Sequence, residues 1–260
     1  MRLSPYSHIR LSSVILLVPS LVTAISLDCS DARDDGVSFN FKTLEGPHSL
    51  SRIKEQPNGI RNTTFTIDIC RPLEKLKGVP KDEDCPGGSR VCAIERLDNT
   101  VENKTTIIDT IPIAGEFSHS FGGALDPKWT RMKSSASNAD KEKEGVRLEM
   151  NGGKDSDGQK QKAIVEFLCD TSTIDYRRRY LLAAEDEEDD NGTGEDGDKK
   201  WEEVNDEHGG KLKLVSWNVE EGTKVLRLDW TTKYGCEDLK DDGTTSSSRH
   251  WGFFTWFIIM

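Results

Sequence analysis

The chain has 260 residues, a formal net charge of −11 and a pI near 5.0. This acidic balance argues against a nucleic-acid partner, because phosphate binding needs a clustered basic face. Short basic runs such as Arg177–Arg179 have acids nearby and are interpreted as solvated loop charge.

The N-terminal residues have the order of a secretory leader. Basic residues precede the apolar run Leu11–Val22, and small residues follow at Ala24 and Ser26. This pattern predicts a signal peptide over residues 1–24. The region that follows, 25–240, is long enough for one large all-β domain or two small ones. The leader places that region in the lumen of the secretory pathway.

Short segments with apolar residues at alternate positions dominate the region after the leader. Phe65, Ile67 and Ile69, for example, share one face of a segment. This period, bounded by Gly, Pro, Asn and Asp, predicts half-buried antiparallel strands, and a helical period is confined to Ile174–Ala184. The fold class is therefore all-β, either two sheets packed face to face or a flattened barrel. The predicted strands are Val37–Phe41, Thr63–Cys70, Val91–Leu97, Thr105–Ile111, Val146–Met150, Ala163–Cys169, Lys211–Val219 and Lys224–Trp230.

Two polar stretches interrupt the strand pattern, residues 133–162 and 180–207. The first holds one apolar segment, Val146–Met150, and the second contains the acidic run Glu185–Asp190. Such composition buries too little apolar surface to offset the entropy of ordering a backbone, about 1–2 kcal/mol per residue. Both stretches are predicted to be mobile insertions between strands of one domain.

Six cysteines follow the leader, and none falls in a CxxC pair or at zinc-ligand spacing from a histidine. An even count in a chain with a secretory leader predicts three disulfides. The sequence alone leaves all fifteen pairings open. The cysteines are Cys29, Cys70, Cys85, Cys92, Cys169 and Cys236.

Three Asn-X-Thr sequons agree with passage through the secretory pathway. They begin at Asn62, Asn103 and Asn191. Each is predicted to be an N-glycosylation site.

The C-terminal residues 251–260 are apolar and aromatic, and they follow a polar linker over residues 241–250. Two Trp and three Phe in so short a run suit the interfacial belt of a membrane span. A helical span needs about 20 residues, so ten reach halfway. We expect the chain as written to stop inside a transmembrane helix. The alternative is a hydrophobic strand folded into the core.

Residues with catalytic or metal-binding chemistry are few. His119 and Ser120 are adjacent, but no nucleophile elbow surrounds them and neighbours on a strand point to opposite faces. The acid pairs at 34–35 and 220–221 are interpreted as surface charge. A calcium loop of the EF-hand type fails, because Lys200 stands where the bidentate glutamate is needed. No enzyme, cofactor or metal site is predicted.

The order of strands and cysteines resembles a known receptor domain. One strand ends at Cys70, the turn PGGSRV joins Cys85 to Cys92, an apolar strand ends at Cys169, and a strand with Trp230 closes on Cys236. Closing strands of this kind are typical of the mannose-6-phosphate receptor homology domain. With the leader, the acidic insertions and the apolar tail, the chain looks most like the fungal autophagy-related protein 27 family. The resemblance covers Ser26 to about Asp238.

The resemblance implies that the cysteines pair in sequence: Cys29–Cys70, Cys85–Cys92 and Cys169–Cys236. The last pair closes a long loop and is worth about 4 kcal/mol in the chain-entropy model, against about 2 kcal/mol for Cys85–Cys92. The family often has one further disulfide, whose cysteine would fall at Lys224.

Sugar binding is where the chain departs from the lectin members of the receptor family. Those members hold mannose with a glutamine, an arginine, a glutamate and a tyrosine. The corresponding positions here are Ala93, Gln161 or Lys162, Glu221 or its neighbour Glu220, and Leu226. Alanine and leucine make no hydrogen bonds to offset the removal of water from a sugar hydroxyl. A domain for protein contact or sorting is therefore preferred to a lectin.

The resemblance also implies a role and a location. It implies a single-pass type I membrane protein that cycles among Golgi, endosomal or cytoplasmic-vesicle and preautophagosomal membranes, with the domain lumenal. Its partners would be membrane proteins of autophagy and trafficking, and the family implies a link to phosphatidylinositol 3-phosphate signalling. No residue marks a phosphoinositide site. The alternative is a secretory-pathway lectin for mannose-type glycans.

Overall fold

The computed structural model describes residues 27–57, 59–81, 83–99, 103–117, 122–171, 200–201, 204–206 and 210–239. Several predicted features lie outside the described residues. They are the signal peptide at 1–24, His119 and Ser120, the helical period at 174–184, most of the insertion 180–207 with Asn191, the linker 241–250 and the tail 251–260.

The described chain is built from strands, which confirms the all-β prediction. Three short 3-10 turns, at Lys42–Leu44, Met132–Ser134 and Lys233–Gly235, connect them. The strands are β1 (Ala32–Asp34), β2 (Val37–Phe39), β3 (His48–Gln56), β4 (Gly59–Ile67), β5 (Ser89–Asn99), β6 (Lys104–Gly115), β7 (Lys128–Arg131), β8 (Gly145–Met150), β9 (Gln161–Cys169), β10 (Lys200–Trp201), β11 (Val204–Asp206), β12 (Gly210–Glu220) and β13 (Thr223–Thr232).

Two large sheets face each other, and β1 with β2 forms a separate hairpin. The five-stranded sheet has the order β10-β3-β4-β5-β6, and the six-stranded sheet has the order β11-β12-β13-β9-β8-β7. Neighbouring strands are antiparallel except β13 and β9, which run parallel with Lys224 opposite Gln161. The sequence missed β3 because Leu50 and Ile53 are its only apolar residues, although Leu50 is fully buried.

The core between the sheets is centred on stacked aromatic rings. Phe167 of β9 lies 4.3 Å from Phe41 and 5.6 Å from Trp230 between ring centroids. Trp129 stacks on Phe41 at 5.4 Å. Phe41, Phe167 and Trp230 are fully buried, so these rings join the N-terminal segment to both β9 and β13.

The prediction of a mobile insertion over residues 133–162 is wrong. Its apolar segment is β8, which pairs with β9 along its whole length and is buried at alternate positions. Polar residues before β8 are ordered by charge: Arg147 donates to Asp140 at 2.9 Å and to Glu166 at 3.0 Å. Local composition cannot reveal these contacts, because they depend on the neighbouring strand.

The two ends of the sandwich differ. The turns that join β3 to β4, β5 to β6 and β12 to β13 lie at one end, which we call the hairpin end. The opposite end, called the disulfide end, holds all three cystines. Cys70 and Cys236 follow the last residues of β4 and β13, Cys169 is the last residue of β9, and Cys85 precedes β5. The described chain leaves the sandwich at Leu239, at the disulfide end.

Candidate functional site

Two of the four positions that would contact a sugar are part of the apolar core. Ala93 of β5 and Leu226 of β13 are each fully buried. Ala93 lies between Phe65 and Ile111 in the five-stranded sheet, and Leu226 pairs with Ala163. These side chains fill the space between the sheets and offer nothing to a hydroxyl group.

The other two positions are polar, and they differ in burial. Gln161 begins β9, is 2% exposed and donates its amide Nε2 to Asp155 at 3.0 Å. Its Oε1 atom is buried with no hydrogen-bond partner among the described residues. Glu221 is exposed in the β12–β13 turn with φ +47°. Of these two positions, Gln161 therefore provides a buried amide and Glu221 an acid on the surface.

A buried polar group on the inner face of the five-stranded sheet, near the hairpin end, was not predicted from the sequence. Glu95 is 8% exposed, and its carboxylate accepts from Arg61 at 3.1 Å and from the Thr63 hydroxyl at 3.3 Å. All three side chains belong to β4 and β5. A buried carboxylate that accepts two hydrogen bonds is stabilised without any ligand.

Lys224 contributes a cation to the same region from the opposite sheet. Its Nζ lies 3.5 Å from the centre of the Trp217 ring, a cation–π contact. Burial lowers the pKa of Lys224, while the carboxylates of Glu95, Asp155 and Asp109 act in the opposite direction. Lys224 thus occupies a half-buried position, the one at which the resemblance places a cysteine in many receptor-family members.

A signal for this group did exist in the sequence. Glu95 lies two residues after Ala93, on the face of β5 that is otherwise apolar and inward. A carboxylate on an inward face needs a cationic partner to offset the cost of its burial. The sequence does not show which cation is its partner. Arg61 and Lys224 become neighbours of Glu95 only through sheet pairing and sheet packing.

Three of the four acids considered for catalysis make structural contacts. Asp34 accepts the backbone N–H of Arg131 at 2.7 Å, and Asp35 lies 3.2 Å from the guanidinium of the same arginine. Glu220 accepts two hydrogen bonds from Arg227, at 2.9 and 2.6 Å. Asp35 and Glu220 therefore belong to salt bridges, and Asp34 holds a backbone amide.

Arg131 is the centre of a charged cluster at the disulfide end. Its guanidinium makes a bidentate contact with Glu237, at 2.9 and 2.7 Å, next to Cys236. These hydrogen bonds hold the pKa of Glu237 below its ordinary value. The cluster fixes the segment through which the described chain leaves the sandwich.

The Arg131–Glu237 contact predicts a pH dependence of stability. A carboxyl with a lowered pKa stabilises the fold above its unfolded pKa, about 4.3, and that contribution is lost as the pH falls through the folded pKa. We expect Arg131→Gln to be less stable than wild type at pH 7 and to lose less stability on acidification. Urea unfolding at several pH values measures the stability at pH 7 and its change on acidification. Lys54→Gln, at an exposed position, is the control; equal pH slopes in Arg131→Gln and wild type would contradict the prediction.

The structure joins Cys29 to Cys70, Cys85 to Cys92 and Cys169 to Cys236. These are the pairs that the family resemblance implies. No described cysteine is free. Glu144 lies near Cys169 and Cys236 in a group with metal-ligand distances, but both sulfurs are bonded to each other. That group therefore offers one carboxylate and no thiolate.

The part of the chain that the structure describes contains no candidate membrane-spanning helix.

Comparison with known proteins identifies the family. The family model of autophagy-related protein 27 matches residues 13–260. The chain belongs to the autophagy-related protein 27 family.

Curated members of the autophagy-related protein 27 family show the extent of the likeness. The chain is 40% identical to the protein of that name from Gibberella zeae over 166 residues, 60% of this chain and 47% of the relative. It is 37% identical to the one from Arthroderma benhamiae over 168 residues, 64% and 50% of the two chains. A third, from Candida albicans, is 30% identical over 86 residues, 32% and 31% of the two. The chain thus spans about half the length of the first two relatives.

Proposed function

We propose that the chain is the lumenal domain and membrane anchor of a single-pass trafficking protein. It supports vesicle-mediated delivery and retrieval of membrane components in the autophagy and secretory pathways, at Golgi, endosomal and preautophagosomal membranes. It acts through contact with other membrane proteins and not as an enzyme. A link to phosphatidylinositol 3-phosphate signalling follows from the family alone, since no described residue suggests a phosphoinositide site.

The observation that carries the proposal is the combination of a complete disulfide framework with a filled interior. Three cystines suit the oxidising lumen. The positions at which a related domain would contact a sugar hold Ala93 and Leu226, both in the core. A rigid module whose interior is occupied by its own side chains works through its surface.

The side chains inside the sandwich argue against a lectin function, because they are already in contact with one another. The inward ring of Trp217 carries the Lys224 ammonium on its face and makes a T-shaped contact with the Phe65 ring. Glu95 is already bonded to Arg61 and Thr63. A sugar would have to displace these internal contacts.

This arrangement predicts no mannose recognition. When the folded, oxidised chain is applied to a glycan array, we expect no signal that free mannose competes. The matched control is a mannose-binding lectin of the secretory pathway on the same array. A mannose-inhibitable signal would establish the lectin alternative instead.

The proposed role is tested in the source organism. A lumenal epitope at the exposed Glu221 turn should be protected from protease in sealed vesicles and become accessible with detergent. Deletion of the gene should slow delivery of autophagic cargo, and the intact gene should restore it. Protease access without detergent, or unchanged delivery in the deletion strain, would contradict the proposal.

A further inference from the structure

One outer edge of the five-stranded sheet is open within the described part of the chain. β6 is the last strand in the sheet order, with β5 on one side. Its first half is exposed or half-buried and rich in Thr and Ile, and Ile108 is 41% exposed. An open edge of β-branched residues is a template for pairing with another chain.

The C-terminal part of β6 has its own protection against such pairing. Ile108 is an extra residue, because Asp109 is opposite Glu95 while Ile107 is opposite Arg96. The Asp109 carboxylate accepts the backbone N–H of Thr110 at 2.9 Å. Pro112 lacks an N–H, and Ala114 pairs with Gly152. Bulges, charges and prolines are the usual means by which edge strands avoid pairing.

The N-terminal part of β6, Lys104–Ile107, lacks these devices. It keeps a regular register with Arg96–Asn99 of β5. A single lysine stands at its start. Immediately before it comes Asn103, an exposed residue in the β5–β6 turn with φ +48°, a conformation that asparagine tolerates well.

The two described sequons differ in their surroundings. Asn62 lies in the middle of β4, between Ile53 and Arg96, and its Oδ1 is buried with no hydrogen-bond partner among the described residues. Its sequon hydroxyl, on Thr64, is 3.4 Å from Ser51. Asn103 lies at a turn, with its sequon hydroxyl on Thr105 directed to Asp98 at 2.6 Å. A bulky glycan fits the turn better than the sheet.

We infer that Asn103 carries an N-linked glycan and that this glycan covers the open edge of β6. The inference rests on the lumenal location in the proposed function. In the reaction, the Asn103 Nδ2 forms a bond to the sugar C1 of a lipid-linked diphosphate oligosaccharide. The C1–O bond breaks, the lipid diphosphate leaves with the electron pair, and the amide nitrogen loses a proton. The product is a branched, hydrated group placed where the edge begins.

The first test maps the glycan on the full chain, expressed from its own leader and purified in mild detergent. Enzymatic removal of glycans in H₂¹⁸O converts each modified asparagine to labelled aspartate. We expect label at Asn103 and little at Asn62. If Asn62 or Asn191 is labelled and Asn103 is not, this inference is overturned, but the lumenal location is still supported. If no sequon is labelled and the six cysteines are recovered as free thiols, both the inference and the lumenal location are overturned.

The second test asks what the glycan does. We expect native removal of the glycan to raise the mass from light scattering about two-fold or more, through edge pairing between copies. Thr105→Ala, which destroys the sequon, should do the same, whereas Thr105→Ser keeps the sequon and should stay monomeric. Adding Thr106→Lys to Thr105→Ala should restore the monomer, and Asn62→Gln should not change the mass. A glycan-free chain that stays monomeric overturns the inference.

Discussion

Replacing Cys169 and Cys236 together by alanine is expected to lower the free energy of unfolding by about 4 kcal/mol. The bond spans 67 residues of sequence and ties the end of β9 to the segment after β13. Without it, the unfolded chain gains the entropy of a long open loop. Thermal and urea unfolding of the oxidised double variant measure the loss.

The matched control for this prediction is the Cys85–Cys92 bond, which spans only seven residues. The corresponding double alanine variant should lose about 2 kcal/mol, because a short loop restricts the unfolded chain less. Equal losses for the two double variants would show that loop length does not govern their contribution.

Phe167→Ala is expected to lower the free energy of unfolding by about 3–5 kcal/mol. The ring is fully buried, and it contacts Phe41 and Trp230 from different parts of the chain. Trp230 belongs to β13 and the Phe41 N–H donates to the Cys29 carbonyl, so these neighbours cannot collapse freely into the cavity. Urea unfolding of the variant measures the change.

Leu76→Ala serves as the surface comparison for Phe167→Ala. Leu76 is 60% exposed, so its truncation should change stability by less than about 0.5 kcal/mol. If Phe167→Ala also stayed within that range, the aromatic stack would not be the centre of the core.

The strands with strong alternation could be predicted from the sequence. The segment from Thr63 has Phe65 and Ile67 on one face, and both are fully buried in β4. The predicted segment ran on to Cys70, whereas β4 ends at Ile67, because Asp68 accepts the N–H of Cys70 and turns the chain. The alternation of apolar residues identified β4, and the Asp68 side chain determines where the strand ends.

Order in polar segments could not be predicted from composition. Residues 133–144 are held by contacts such as the Ser135 hydroxyl to Asp140 at 2.8 Å and Arg147 to the same carboxylate. Each partner looks like ordinary surface charge in the sequence. Only the pairing of β8 with β9 places Glu166 beside Arg147 and gives the segment a fixed anchor.

The candidate site divides in the same way. Side-chain chemistry alone indicates that Ala93 and Leu226 cannot hydrogen-bond a sugar, and the structure places both side chains in the core. It did not predict the Glu95 group, since Arg61 is 34 residues away in sequence and Lys224 lies on the opposite sheet. Contacts between residues far apart in the sequence form this group, and a local sequence pattern cannot reveal such contacts.

The most direct test of the account is to map the cysteines in the protein made through its own leader. Peptide mass spectrometry without reduction should recover three linked pairs, Cys29 with Cys70, Cys85 with Cys92, and Cys169 with Cys236. Recovery of these six side chains as free thiols would contradict both the lumenal location and the way in which the sandwich is held closed.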